Sequence, residues 1–123
     1  MRIHRFASAA DFLALAESAL LAAEVENNLI LGLAYALAKG GLTAGELAPY
    51  FAAATDDAGR VVMCAFRTLP GKVGVTRAFH PDAPRPLADD VWHTCPDAES
   101  VIGPRPTVDV FAREFASVSR TVA

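Results

Sequence analysis

The run Arg60-Val61-Val62-Met63-Cys64-Ala65-Phe66 most constrains how this chain can fold. It is an apolar segment of strand length, rich in β-branched and bulky residues. It is bounded by the turn-forming clusters Asp56-Asp57-Ala58-Gly59 and Thr68-Leu69-Pro70-Gly71. The short connection Asp56 to Gly59 joins it to Tyr50-Phe51-Ala52-Ala53-Ala54-Thr55, so the two are expected to be antiparallel neighbours, the more apolar second strand being the more central. Lys72 to Thr76 reads as a third strand after Leu69-Pro70-Gly71. Tyr50 to Thr76 is therefore expected to be the sheet that the rest of the chain covers.

Two helical segments precede this sheet. Ser8 is placed to cap a helix with Asp11 three residues on, ahead of an apolar stripe of Phe12, Leu13, Ala16, Ala19, Leu20 and Ala23. Val25 to Ala38 puts Ile30, Leu33, Ala34 and Leu37 on one face with Leu29 beside them, which predicts a substantially buried helix. Gly32 in its middle costs about 1 kcal/mol relative to alanine, and predicts the close approach of another backbone. Gly40-Gly41 ends the helix, and Leu42 to Pro49 is a connector with at most a turn of helix. Ahead of both helices, Ile3 to Phe6 is a first strand or an extended lead-in.

After the sheet, Phe79 to Pro86 holds three prolines and reads as a loop. Pro86 can begin a helix to about His93 with Leu87 and Val91 inward. Ser100-Val101-Ile102 is a short strand stopped by Gly103-Pro104-Arg105-Pro106, and Thr107 opens a last helix with the stripe Phe111, Phe115, Val118 and Val122. The order (β)ααβββαβα predicts an α+β, or mixed α/β, fold. At 123 residues, 1–123 reads as one domain.

Composition narrows the function classes. The chain is 53% hydrophobic and 20% charged, which excludes disorder and leaves apolar surface that a partner can cover. Net charge is -3 at pH 7 with no basic cluster interleaved with aromatics, so no nucleic acid is expected as partner. Glu17, Glu24, Glu26 and Asn27 interrupt the apolar stretches below the length of a bilayer span, and the basic N-terminus leads into a helix carrying Asp11 and Glu17, unlike a signal peptide. No membrane association and a cytoplasmic location are the expectations.

Among chemistry-bearing residues, Glu24, Glu26, Asn27 and Asn28 cluster where the second helix begins. A carboxylate there can serve as a general base toward an amine, and the asparagines can face a substrate cleft. The same residue types also cap a helix and favour its positive end, and capping is the reading preferred. Arg67, at a strand end, can hold an anion, although an exposed strand-end arginine is the commoner finding. Cys64 reads as a small buried residue. His80, His93 and Cys95 read as loop and helix-end surface residues, since His93-x-Cys95 does not share a helix face and no tetrahedral ligand set is spaced for zinc, so no metal site is expected. A disulfide between Cys64 and Cys95 is possible but not indicated.

The element order, together with Arg5-Phe6, Phe12-Leu13, Glu24-Val25-Glu26-Asn27-Asn28-Leu29-Ile30-Leu31-Gly32, Tyr50-Phe51-Ala52, Ala65-Phe66-Arg67-Thr68-Leu69-Pro70 and Val101-Ile102-Gly103-Pro104, resembles the N-terminal half of bacterial two-part proteins of the GNAT superfamily of acyl-CoA-dependent N-acetyltransferases. The resemblance implies a GNAT-like domain that is incomplete at the C-terminus, lacking the two strands that follow the last helix. GNAT enzymes hold the CoA pyrophosphate on backbone amides of an Arg/Gln-x-x-Gly-x-Gly/Ala loop. Here the matching place reads Arg77-Ala78-Phe79-His80-Pro81-Asp82, without glycine. A non-catalytic half that packs with a catalytic GNAT half or with itself, binding no cofactor, is the leading expectation. The alternatives are an active enzyme that holds acetyl-CoA on a divergent loop at Arg77 and Ala78, and a small-ligand or regulatory module marked by a closed apolar pocket between the first helix pair and the sheet.

Overall fold

The computed structural model describes residues 1–40, 50–69 and 71–122. In chain order the elements are β1 (Arg2–Phe6), α1 (Ala9–Leu21), α2 (Asn28–Ala38), β2 (Phe51–Thr55), β3 (Val61–Leu69), β4 (Lys72–Val75), α3 (Pro84–Thr94), β5 (Ser100–Ile102) and α4 (Thr107–Val122). Among the described residues these four helices and a five-stranded mixed sheet make an α+β fold. The sheet order is β1-β2-β3-β4-β5, antiparallel until the last pair, where β4 and β5 run parallel with Val73 opposite Val101. The expected connector Leu42 to Pro49 lies outside the described residues.

Strand alternation sorts the sheet's side chains into two cores. Ala52, Ala54, Met63, Ala65, Val73 and Val75 join Leu87, Val91 and Phe111 of α3 and α4. Phe51, Ala53, Cys64 and Phe66 join Phe12, Ala16, Leu20, Ile30 and Ala34 of α1 and α2. All five residues of β2 are buried, and its three alanines let helices approach on both faces. Cys64 and Cys95 belong to different cores and are both free thiols.

Local chemistry accounts for the element ends. The Ser8 hydroxyl accepts the Asp11 amide at 3.1 Å, as an N-cap does. Asp56 Oδ1 accepts the amides of Ala58 and Arg60 at 3.0 and 2.9 Å, and Gly59 takes the positive φ of 79° that closes the β2–β3 connection. Asp90 on α3 ties three elements together. It accepts the buried Tyr50 hydroxyl at 2.8 Å and Arg5 Nη2 of β1 at 3.0 Å. Burial first, and Asp90 second, push the Tyr50 phenol upward, so it stays protonated and donates.

Several expectations need correction. β3 continues through Arg67 to Leu69, because Arg67 pairs with Val73 and Leu69 with Lys72, so the turn is shorter than Thr68 to Gly71. α3 begins at Pro84 rather than Pro86, since both prolines fit a first turn whose amides lack intrahelical partners. α2 begins at Asn28 rather than Val25; Ile30 and Ala34 of its expected face are buried and Leu33 and Leu37 pack against the same core, whereas Leu29 beside them is 53% exposed. Of the α1 stripe, Ala19 is exposed. Gly32 meets no neighbouring backbone, and a Cβ there would find nothing within 4 Å. The close approach falls instead at Gly103, where a Cβ would lie 2.5 Å from the Val75 carbonyl oxygen, and at Gly74, where it would run into the Phe66 ring. Of the last stripe, Phe111 and Val118 are buried and Phe115 packs edge-on against Trp92; the Val122 side chain lies outside the described ones.

These contacts set opposite signs for two alanine substitutions. Gly32→Ala should raise unfolding stability by about 0.5–1 kcal/mol, and Gly103→Ala should lower it by about 1–3 kcal/mol, because a backbone carbonyl cannot yield as a side chain can. Urea unfolding of both variants checks the pair. Asp90→Ala, which leaves the buried Tyr50 hydroxyl without its acceptor, should cost about 1–3 kcal/mol in the same assay.

Candidate functional site

In a sheet with parallel neighbours, loops leaving the carboxyl ends of those strands diverge and leave a crevice. β4 and β5 are such a pair, and a cavity of about 260 Å³ opens where they end. Its walls are Val75 and Thr76 from β4 and the residue after it, Ile102, Gly103 and Pro104 from the end of β5, Leu29 and Ile30 from α2, and Phe66 from β3. Glu26 and Asn27, from the turn before α2, bring polar groups to it. The cavity thus lies between α2 and the sheet. Gly74 makes room for the Phe66 ring on the neighbouring strand, and the backbone-close Gly103 brings β5 against Val75.

Polar ties hold the loops around this cavity. The Asn27 Nδ2 donates to the Leu20 carbonyl at 3.1 Å, closing the end of α1 rather than capping α2. Thr76 Oγ1 accepts the buried Cys64 amide at 2.8 Å, and the Thr76 amide donates to the Cys64 carbonyl at 2.9 Å, so the ladder extends one residue past β4. Arg77 forms a two-pronged pair with Glu26, with Nε to Oε1 at 3.0 Å and Nη2 to Oε2 at 2.9 Å. That hydrogen bond holds the Glu26 carboxyl below its ordinary value, against a smaller opposing effect of desolvation. The Ala78 amide donates to Thr107 Oγ1 at 3.2 Å, anchoring the same loop to the start of α4. Next to the pair, a second space of about 20 Å³ is lined by Cys64, Arg77 and Phe79 among others, about the size of one water.

The sequence-derived candidates separate in three dimensions. Glu26 and Asn27 line the cavity, and Arg77 meets Glu26 at its flank. Ala78 is held by Thr107 and lies beyond the cavity wall. Glu24 and Asn28 are exposed and do not line it. Arg67 points to the other face of the sheet, where its Nη2 donates to Cys95 Sγ at 2.7 Å and toward the Thr94 carbonyl at 3.4 Å; it is half-buried and not an exposed strand-end residue. Cys95, expected at the surface, is 1% exposed. Burial raises its thiol above the ordinary value, against the Arg67 hydrogen bond, and burial pushes the Cys64 thiol up to about 12. Both are protonated at neutral pH and poor nucleophiles. Among the described residues no cluster of three or more His, Cys, Asp or Glu side chains can hold a metal ion, and no helix is long and apolar enough to cross a membrane.

Phe66, Val75, Thr76, Ile102, Gly103 and Pro104 line the cavity but carry no chemical signal of their own in the sequence. The strand-Gly-Pro sequence Val101-Ile102-Gly103-Pro104 marks a strand end, yet its meaning depends on β4 being the parallel neighbour. With the Arg77→Gln variant, the Glu26 carboxyl should titrate higher, back toward the ordinary glutamate range. Because the folded value is depressed, the pair's stabilising contribution is complete above that range and is lost as pH falls through the depressed value. A ¹³C NMR titration of the Glu26 carboxyl with the same midpoint in both proteins would refute this assignment. No family model, curated protein or solved structure matches the chain.

Proposed function

We propose that this chain is a GNAT-like domain that serves as the non-catalytic half of an N-acetyltransferase, packing with a catalytic half or with a second copy of itself. The element order, the parallel β4–β5 pair and the crevice at its carboxyl end support the GNAT-like part of this reading.

One observation carries the non-catalytic part. A pyrophosphate cradle needs several backbone amides converging on one point, usually with a helix N-terminus behind them. In the segment after β4, the amides of Thr76, Ala78, Phe79, Asp82 and Ala83 already donate within the chain, to the Cys64 carbonyl, Thr107 Oγ1, the Val62 carbonyl, His80 Nδ1 and the His80 carbonyl. Pro81, Pro84 and Pro86 have no N–H to offer, and the last two sit in the first turn of α3. Arg77 is engaged with Glu26. Acetyl-CoA binding would have to break these bonds before it formed its own.

Isothermal titration calorimetry with acetyl-CoA is expected to give no saturable heat at submillimolar concentration. Micromolar binding would overturn the proposal in favour of an active enzyme with a divergent loop at Arg77 and Ala78. A second reading, a small-ligand module without acyl chemistry, draws on the 260 Å³ cavity between α2 and the sheet, whose lining is mostly apolar with Glu26, Asn27 and Thr76 as its polar groups.

A further inference from the structure

The sheet has two edges, and they differ in chemistry. β1 carries Arg2 and Arg5 within five residues, the kind of charge that blunts an edge against pairing. β5, Ser100-Val101-Ile102, carries no charge, and Ile102 is 42% exposed. In a parallel pair, alternate residues of a strand direct their backbone groups to the same neighbour. The Ser100 amide donates inward to the Gly71 carbonyl at 3.1 Å, so the N–H and C=O of Val101 face away from β4. Among the described residues no strand lies beyond β5.

Alongside that edge, on the face covered by α3 and α4, lies a groove of about 250 Å³. Val73, Val91, Val101, Phe111, Ala112 and Phe115 form its apolar lining. Ala112 and Ala116, one turn apart on α4, are exposed and small, so at these two positions the helix flank beside the groove presents no long side chain.

We propose that β5 and this groove form a two-fold interface with a second copy of the chain, β5 pairing antiparallel with the partner's β5 about Val101. This deepens the self-association in the reading above, although its geometry does not rely on the behaviour of acetyl-CoA. A second copy fits because the edge is self-complementary. Centred on Val101, the two outward-facing residues exchange both backbone hydrogen bonds, and Ser100 stands opposite the partner's Ile102. Glu99, which lines the groove at the edge, stands opposite the partner's Gly103, so no like charges face each other across the paired strands. The two-fold axis stands across the sheet, which brings α4 beside the partner's α4 on one face. The small flank of Ala112 and Ala116 permits that approach, and Phe115 closes the joined grooves.

Sedimentation equilibrium should show a monomer–dimer equilibrium, and Ala112→Arg, an exposed substitution by a good helix former, should shift it to monomer without changing the circular dichroism spectrum. In the wild-type chain, Val101 amide exchange should slow about tenfold or more as concentration rises from about 10 µM to about 1 mM. A monomer throughout that range overturns the proposal. So does a dimer in which Val101 exchange ignores concentration, or in which the amides of β1 gain the protection instead. Because neither measurement involves acetyl-CoA, failure here is separable from failure of the calorimetric test.

Discussion

Burial of the sheet on both faces is the constraint on which the rest of this structure depends. A strand with one solvated face needs only alternate apolar residues, but β2 and β3 lie between two helical layers and must be apolar at successive positions. That requirement selects Ala52-Ala53-Ala54 and Met63-Cys64-Ala65-Phe66, and it distributes their side chains to two cores that do not mix. It also fixes register, because slipping either strand by one residue would send Phe51 and Phe66 into the core filled by Met63, Val73 and Phe111.

With the apolar work divided this way, a few polar contacts orient the layers. Asp90 joins α3 to β1 and to the start of β2 through Arg5 and Tyr50. On the other side, Asn27 closes α1, and Thr76 and Thr107 hold the segment that leaves β4. These bonds satisfy backbone groups that the packing would otherwise leave unpaired. With the bonds of Phe79, Asp82 and Ala83, they engage five amides of the segment after β4 within the chain's own structure, and that engagement underlies the proposed lack of a cofactor cradle. The Glu26–Arg77 pair is different in kind: partly exposed at both ends, it positions a carboxylate at a cavity and contributes little to holding the fold.

Much of the architecture was legible in the chain because it rests on local chemistry. The Ser8 cap, the Asp56–Gly59 turn, the central place of β3 and the inward Leu87 and Val91 follow from periodicity and turn preference, and the structure agrees. Apart from the helix starts, the misreadings share a cause, since they concerned what lies across space from a residue. Gly32 looked like a point of close approach and is open, whereas Gly74 and Gly103 are the glycines pressed by a ring and a carbonyl. Arg67 and Cys95 looked like unrelated surface groups and turn out to touch, because strand alternation aims Arg67 at the end of α3. Of the candidate site residues, Glu26 and Asn27 reach the cavity while Glu24 and Asn28 do not, a distinction set by how the turn before α2 sits and not by residue type.

The sequence by itself determined the order and kind of the elements, the apolar run of the central strand and the absence of glycine from Arg77 to Asp82, since these depend on residues near one another along the chain. Only the tertiary structure decided that β4 and β5 are parallel neighbours, that a cavity opens at their shared end, and that β5 is left as an uncharged edge beside an apolar groove. The physical reason is that pairing partners and cavities arise between segments separated by a helix or more, and no local preference encodes which distant backbone will complete a hydrogen-bond ladder or leave it open.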